Sequence, residues 1–172
     1  MKKLMNGAQM KRIDVYSIQE VGIPSLVLME RAALCVTEAV LEKIKKTDKV
    51  LCVCGSGNNG ADGMAVARQL TERGISAEVY TTAEEEKGTE ELNRQRAILQ
   101  KLGIVFVNDI PAGEYNCIID AVFGIGLSRT ITGRYEQIIE KINAAKDTGS
   151  LIVAVDTHRE LMPGTDRSWA VP

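Results

Sequence analysis

Three glycines, two and three positions apart, stand where a strand is expected to end. Gly55, Gly57 and Gly60 follow the apolar run 49–54 (KVLCVC) and precede a helical pattern. This G-x-G-x-x-G spacing allows backbone N–H groups to approach an anionic group at the N-terminus of a helix. The spacing indicates a phosphate-binding turn, and a tight turn with a purely structural role is the alternative.

The side chains within this loop are more informative than its glycines. Asn58, Asn59 and Asp62 place three oxygen-bearing side chains within five positions. A loop that only had to turn would not require them. They can form hydrogen bonds with a polar substrate or supply oxygen ligands to a hard cation.

Two further carboxylates stand at the ends of apolar runs. Asp120 ends the run CIID, and Asp156 ends the run LIVAVD. A carboxylate in a closed pocket can act as a general acid or base, and capping an exposed helix is the alternative role. The segment 124–130 (GIGLSRT) combines glycine N–H groups with Arg129, which suits a pyrophosphate. A simple glycine-rich turn is the alternative there.

Changes in apolar periodicity predict the elements that position these residues. A helix is expected at about 7–19, and a second helix starts near Gly22 and Pro24. Short apolar runs predict strands at 49–54, 75–80, 104–107, 117–120 and 151–155, and helices are expected at about 62–73 and 84–102 and from Tyr135 to Ile142. The apolar face of the second helix contains Leu26, Met29, Ala33, Val36, Val40 and Ile44.

Strands that alternate with helices imply an α/β fold with right-handed crossovers. We expect a mostly parallel sheet that is covered by helices on both faces, with further helices before the first strand. Ligands of such sheets bind beyond the carboxyl ends of the strands, so the glycine loop, Asp120 and Asp156 belong to one predicted site. An ordinary NAD site also has an acid at the end of the second strand. This chain has Tyr80, Thr81 and Thr82 there, which disfavours a standard dehydrogenase.

Length and composition exclude several classes of protein. The 172 residues suit one domain. The net charge of −2 and the 4% of aromatic residues argue against a nucleic-acid partner. Neither a membrane span nor a signal peptide is expected. Apolar runs contain Cys52, Cys54 and Cys117, so we expect buried thiols in a reducing compartment and a cytoplasmic location. No C-x-x-C spacing is present, so no zinc site is expected.

Taken together, the motifs resemble the N-terminal domain of the YjeF family, the NAD(P)H-hydrate epimerases. They are GSGNNGADGMAVARQL, DAVFGIGLSRTITG and IVAVD, preceded by PSLVLMERAA, and the resemblance covers about residues 5–156. It implies a three-layer α/β/α fold of Rossmann-like type. It also implies an isomerase that interconverts the R and S epimers of hydrated NADH and NADPH. A fused or partner dehydratase, dependent on ADP or ATP, would then repair the S form. The resemblance also implies a bound potassium ion (K+).

The resemblance assigns roles to particular residues. Asn59 and Asp120 would be potassium ligands. We expect Asp156 to be the acid–base residue, with Asp62 assisting it. We also expect a homodimer. The substrate would contact Asn58, Asn59, Gly60, Ala61, Asp62, Gly124, Ile125, Gly126, Leu127, Ser128, Arg129, Thr130 and Asp156.

The chain departs from the family pattern in three places. Ala33 and Ala61 replace usual glycines, and a methyl group at position 61 is mild if the backbone φ is negative there. After Asp156 the family continues with a D-I-P-S-G motif whose serine also contacts the potassium. Here the sequence continues THRE, with Arg159 in the place of the serine.

The break after Asp156 predicts that residues 1–156 are an incomplete epimerase domain and 157–172 a frameshifted or aberrant tail. Codons exist for 156–172 in which one inserted nucleotide restores D-I-P-S-G. We expect the tail to be disordered or irregularly packed, and the chain to be weak or inactive as an epimerase.

Two other functions compete with epimerisation. One is a non-catalytic nucleotide-binding or scaffold member of the same fold, such as the domain found in mRNA-decapping proteins. The intact Asn59, Asp120 and Asp156 disfavour it. The other is a generic nucleotide-binding oxidoreductase, which the missing acid on the second strand disfavours.

Overall fold

A computed structural model describes residues 7–84, 87–124 and 131–156. Within these ranges the chain forms five helices and five strands. The helices are α1 (Gly7–Gln19), α2 (Ser25–Leu41), α3 (Asn58–Glu72), α4 (Glu90–Lys101) and α5 (Arg134–Asp147). The strands are β1 (Lys49–Cys54), β2 (Ser76–Thr81), β3 (Phe106–Val107), β4 (Cys117–Ala121) and β5 (Leu151–Ala154). The predicted tail at 157–172 lies outside the described residues.

The five strands form one sheet in the order β3-β2-β1-β4-β5, and every pairing is parallel. Val50 of β1 lies beside Ala77 of β2 and Cys117 of β4. Residues of α2, α3 and α4 pack with one face of the sheet, and α5 packs with the other. The predicted three-layer α/β/α fold is confirmed.

Strand β1 is the middle strand of the sheet, and both of its faces are apolar. Val50, Cys52 and Cys54 face the core beneath α2–α4, while Leu51 and Val53 face the core beneath α5, and all five are fully buried. Burial raises the pKa of the Cys52 and Cys54 thiols, so both stay protonated. The prediction of buried thiols at positions 52, 54 and 117 is confirmed.

Several predicted boundaries need correction. Helix α3 starts at Asn58, four residues before the predicted start, so Asn58, Asn59 and Asp62 are helical and not in a loop. Helix α4 starts at Glu90 and not at position 84, because the Thr89 side chain caps it by accepting a hydrogen bond from Leu92 N at 3.3 Å. Strand β3 has only two residues.

The predicted apolar face of α2 is confirmed from Leu26 to Val40, but the helix ends at Leu41, so Ile44 lies beyond it. Its residues Met29, Ala33, Val36 and Val40 are buried. Leu26 and Ile44 are partly buried against the same core. No helix in the described ranges is long and apolar enough to cross a membrane.

One carboxylate links the three helices on the α2–α4 side. Glu30 of α2 accepts hydrogen bonds from the Arg68 guanidinium and from Gln69 Nε2, at 3.0 Å, both on α3. Its other oxygen accepts from Gln95 Nε2 of α4 at 3.0 Å. Burial alone would raise the pKa of Glu30, but the hydrogen bonds from Arg68, Gln95 and Gln69 outweigh it and lower the pKa.

Replacing Glu30 by alanine should destabilise the chain by about 1–2 kcal/mol, because three donors lose their acceptor at a partly exposed site. Since the folded-state pKa of Glu30 is lowered, its contribution is present above pH 4.5 and is lost as the pH falls below that value. Urea unfolding at pH 7 and pH 3.5 measures both effects. Glu38→Ala, at an exposed position of the same helix, is the control and should change stability by less than about 0.5 kcal/mol.

Candidate active site

Three segments meet at the carboxyl edge of the sheet. Gly55 N donates to Ala121 O at 3.0 Å, which joins the glycine loop to the end of β4. Val155 N donates to Asp120 O at 3.0 Å, which joins the end of β5 to β4. The glycine loop, the segment after Asp120 and the segment after β5 therefore lie side by side, as the sequence predicts.

The three glycines of the loop have different roles. A Cβ atom on Gly55 would lie 2.0 Å from Val122 O, and one on Gly60 would lie 2.0 Å from Gly55 O. Both glycines are required for these close contacts within the protein. A Cβ atom on Gly57 would meet nothing within 4 Å, so open space adjoins the start of α3.

The first turn of α3 borders this open space. Gly57 precedes the helix without a side-chain cap, and the first backbone N–H groups of a helix lack intrahelical partners. Asn58 is exposed, whereas Gly60 and Ala61 are buried. Because Ala61 is helical, its methyl group causes no backbone strain. The arrangement can bind an anion through the helix N-terminus.

Asn59, Gly124 and Asp156 lie together. Asn59 Nδ2 donates to Phe123 O at 2.8 Å, which fixes the amide against the turn after β4. A Cβ atom on Gly124 would lie 3.3 Å from Asn59 Cβ and 3.4 Å from Asp156 Oδ2. The predicted association of the α3 start with Asp156 is therefore present, with the bare Gly124 backbone between the two side chains.

Asp62 is the most perturbed carboxyl group of the site. Burial raises its pKa to about 7, and the charges of Asp156 and Asp14 add to this effect. Asp62 and Asp156 are therefore neighbours. Near neutral pH the protonated and the ionised forms of Asp62 are both populated. Asp14 on α1 was not predicted from sequence, because no local pattern indicates that α1 borders the site.

Asp120 lies in β4, is partly buried and accepts a hydrogen bond from Val122 N at 3.2 Å. Burial is the main cause of the raised pKa of Cys54; Arg96 opposes it, and the charges of Asp120 and Asp62 reinforce it. Both carboxylates thus lie close to the Cys54 thiol. The predicted contacts at Ile125, Gly126, Leu127, Ser128, Arg129 and Thr130 fall outside the described residues.

The chain is similar to known proteins of one family. The family model described as YjeF-related protein N-terminus matches residues 25–158. The NAD(P)H-hydrate epimerase of Oenococcus oeni is 40% identical over 154 residues, covering 88% of this chain and 72% of the relative. The enzyme of the same name from Limosilactobacillus fermentum is 39% identical over 157 residues, covering 90% and 74%. The crystal structure of yeast ynu0 matches with a TM-score of 0.80 at 24% identity, and the match covers 91% of this chain and 71% of that chain. At this identity the likeness shows the fold alone.

Asp62→Asn should make the folded chain more stable at pH 8. The folded-state pKa of Asp62 lies above its unfolded value, so the folded state keeps a proton that the unfolded state releases. The free energy of unfolding therefore falls as the pH rises from about 4 to about 7. The variant should remove this loss, and we expect a gain of about 1–3 kcal/mol at pH 8 that vanishes near pH 4. Thermal unfolding across this pH range measures it. Asp147→Asn, at an exposed position of α5, is the control, and parallel pH curves for Asp62→Asn and wild type would contradict the assignment.

Proposed function

Given that the chain belongs to the family of YjeF-related N-terminal domains, we propose that it is an NAD(P)H-hydrate epimerase, an isomerase that interconverts the R and S forms of hydrated NADH and NADPH. The observation that carries the proposal is the placement of Gly124 between Asn59 and Asp156, with Asp62 beside them. A substrate ring can approach a glycine backbone closely, and two carboxyl groups adjoin that point.

The reaction needs one proton delivered and one removed. Inverting the hydrated carbon requires that a bond at this carbon breaks and re-forms on the opposite face. The leaving atom gains a proton when the bond breaks, and the returning group gives up a proton when the bond re-forms. In our proposal Asp156 carries the proton between these groups. Asp62, whose pKa is about 7, is protonated in part of the molecules at neutral pH and can supply or accept the second proton.

Asn58, Asn59, Gly60 and Ala61 would bind the substrate through the start of α3. Their position beside the open space at Gly57 suits an anionic group such as the pyrophosphate. Gly124 would contact the substrate through its backbone, and the remainder of the segment 124–130 would continue this contact. Asp156 has the double role of contacting the ring and moving the proton.

The residues present fit a monovalent cation. Asn59 uses its amide nitrogen toward Phe123 O, which leaves the amide oxygen as its ligating end, and Asp120 adds carboxylate oxygen nearby. Oxygen donors suit a hard cation such as potassium. In the described ranges there is no cluster of three or more His, Cys, Asp or Glu side chains that could hold a metal ion. The bound ion would supply a positive charge that holds the anionic substrate.

A non-catalytic scaffold is the second candidate, and the raised pKa of Asp62 beside Asp156 disfavours it, because such values concentrate at catalytic sites. The homodimer, the fused or partner dehydratase and the cytoplasmic location stay predictions.

Asp156→Asn should slow epimerisation about a hundredfold or more, the loss expected when a general acid–base group is removed. The conversion of purified R epimer into S epimer, followed by chromatography, measures the rate. Binding of the hydrated dinucleotide, measured by calorimetry, should change little. Asp147→Asn is the matched control, and unchanged turnover in Asp156→Asn would remove Asp156 from the mechanism.

Replacing potassium by a large organic cation should lower the epimerisation rate, and Asn59→Ala should raise the potassium concentration needed for half-maximal rate by about tenfold or more. The measurement is a potassium titration at constant ionic strength. Asn143→Ala on α5 is the control. If Asn59→Ala and wild type have the same potassium dependence, Asn59 is not a ligand.

A further inference from the structure

The carboxyl end of β2 lies at the far side of the sheet from Asp156. The strand order places β1 and β4 between β2 and β5, which amounts to three strand spacings, or roughly 14 Å. In dinucleotide-binding sheets this end of the second strand meets the adenosine ribose. An acid there suits a free 2′-hydroxyl group, and an arginine suits a 2′-phosphate.

This chain has a guanidinium at that end and no acid within Tyr80–Thr82. Arg134, the first residue of α5, directs Nη2 to the Tyr80 hydroxyl at 3.5 Å and is exposed. Within the described ranges Arg134 forms no ion pair. The negative charge of Glu84 acts on Arg134, and the Glu84 carboxylate is itself paired with Lys87 at 2.5 Å. Arg134 is therefore available to an anionic ligand at the end of β2.

A second guanidinium lies beneath the same segment. Arg96 of α4 is only 7% exposed and donates to Ala83 O and Glu84 O, each at 3.0 Å. Its Nε has no hydrogen-bond partner among the described residues, and the same is true of the hydroxyl of Thr82, which is 8% exposed. Among the described residues the Arg96 guanidinium donates to carbonyl groups and not to a carboxylate. Its positive charge is therefore not neutralised by an ion pair.

We propose that Arg134, supported by the charge of Arg96, binds the 2′-phosphate of the substrate, so that the chain prefers hydrated NADPH to hydrated NADH. The proposal rests on the proposed function. A guanidinium forms paired, charge-assisted hydrogen bonds with a phosphate, and a ribose hydroxyl offers no comparable charge. Arg134 would act on binding and not on the proton transfers, because its contact is with Tyr80 of β2, and β2 lies three strand spacings from β5.

The test compares both hydrated dinucleotides on the wild type and on Arg134→Gln. The wild type should have the higher kcat/KM for hydrated NADPH. Arg134→Gln should raise KM for hydrated NADPH by about tenfold or more while kcat stays near wild type, and hydrated NADH should be affected less than about threefold. Arg134→Lys should recover part of the loss. Arg94→Gln, an exposed arginine of α4 paired with Glu90, is the matched control.

Calorimetry with adenosine 2′,5′-bisphosphate and adenosine 5′-monophosphate separates this proposal from the epimerase activity. Tighter binding of the bisphosphate, lost in Arg134→Gln, would support the subsite even if the chain did not epimerise. Equal binding of the two nucleotides by an active enzyme would overturn the subsite and leave the proposed function intact. An equal loss on both dinucleotides in Arg134→Gln would also overturn it, since the arginine would then serve a phosphate common to both.

Discussion

Helix α3 begins so close to the ends of β1 and β4 that no side chain fits between them. Gly55 and Gly60 each leave no room for a Cβ atom, and a Cβ on Gly63 would lie 2.5 Å from the Ala121 side chain and 3.0 Å from Cys54 Sγ. Glycine at these positions lets α3 rest on the backbone of the sheet. The position of the helix start, and with it the position of Asn59 and Asp62, follows from this contact.

The same contact determines the electrostatics of the site. Bringing α3 onto the sheet partly buries Asp62 and places it within the field of Asp156, which raises the pKa of Asp62 to about 7. Placing a carboxyl group there costs stability above neutral pH, as is common where a residue serves function. On the outer side of α3, Glu30 ties α2, α3 and α4 together and supports the helix that presents these groups.

The two sides of the carboxyl edge differ in charge. Carboxyl groups gather near β4 and β5, where Asp120 and Asp156 lie, and guanidinium groups flank the end of β2, where Arg96 and Arg134 lie. A substrate with a reacting ring at one end and phosphates toward the other matches this separation. The sheet itself sets the distance between the two sides, because parallel strands keep a constant spacing.

Apolar periodicity was sufficient to predict the strands and the three-layer arrangement, since a strand buried on both faces, such as β1, has to be apolar throughout. The motifs also placed Asn59, Asp62, Asp120 and Asp156 at one edge, because parallel strands end on the same side. Sequence could not reveal that Gly55 and Gly60 serve internal packing, or that α3 starts at Asn58, since both depend on the distance between a helix and a sheet. The neighbours Asp14, Arg96 and Arg134 come from three separate helices, and no spacing along the chain links them to the site. The sequence by itself determined which elements form and which chemical groups are available; only the tertiary structure decided which groups become neighbours, and the charge and burial of those neighbours determine their pKa values and partners.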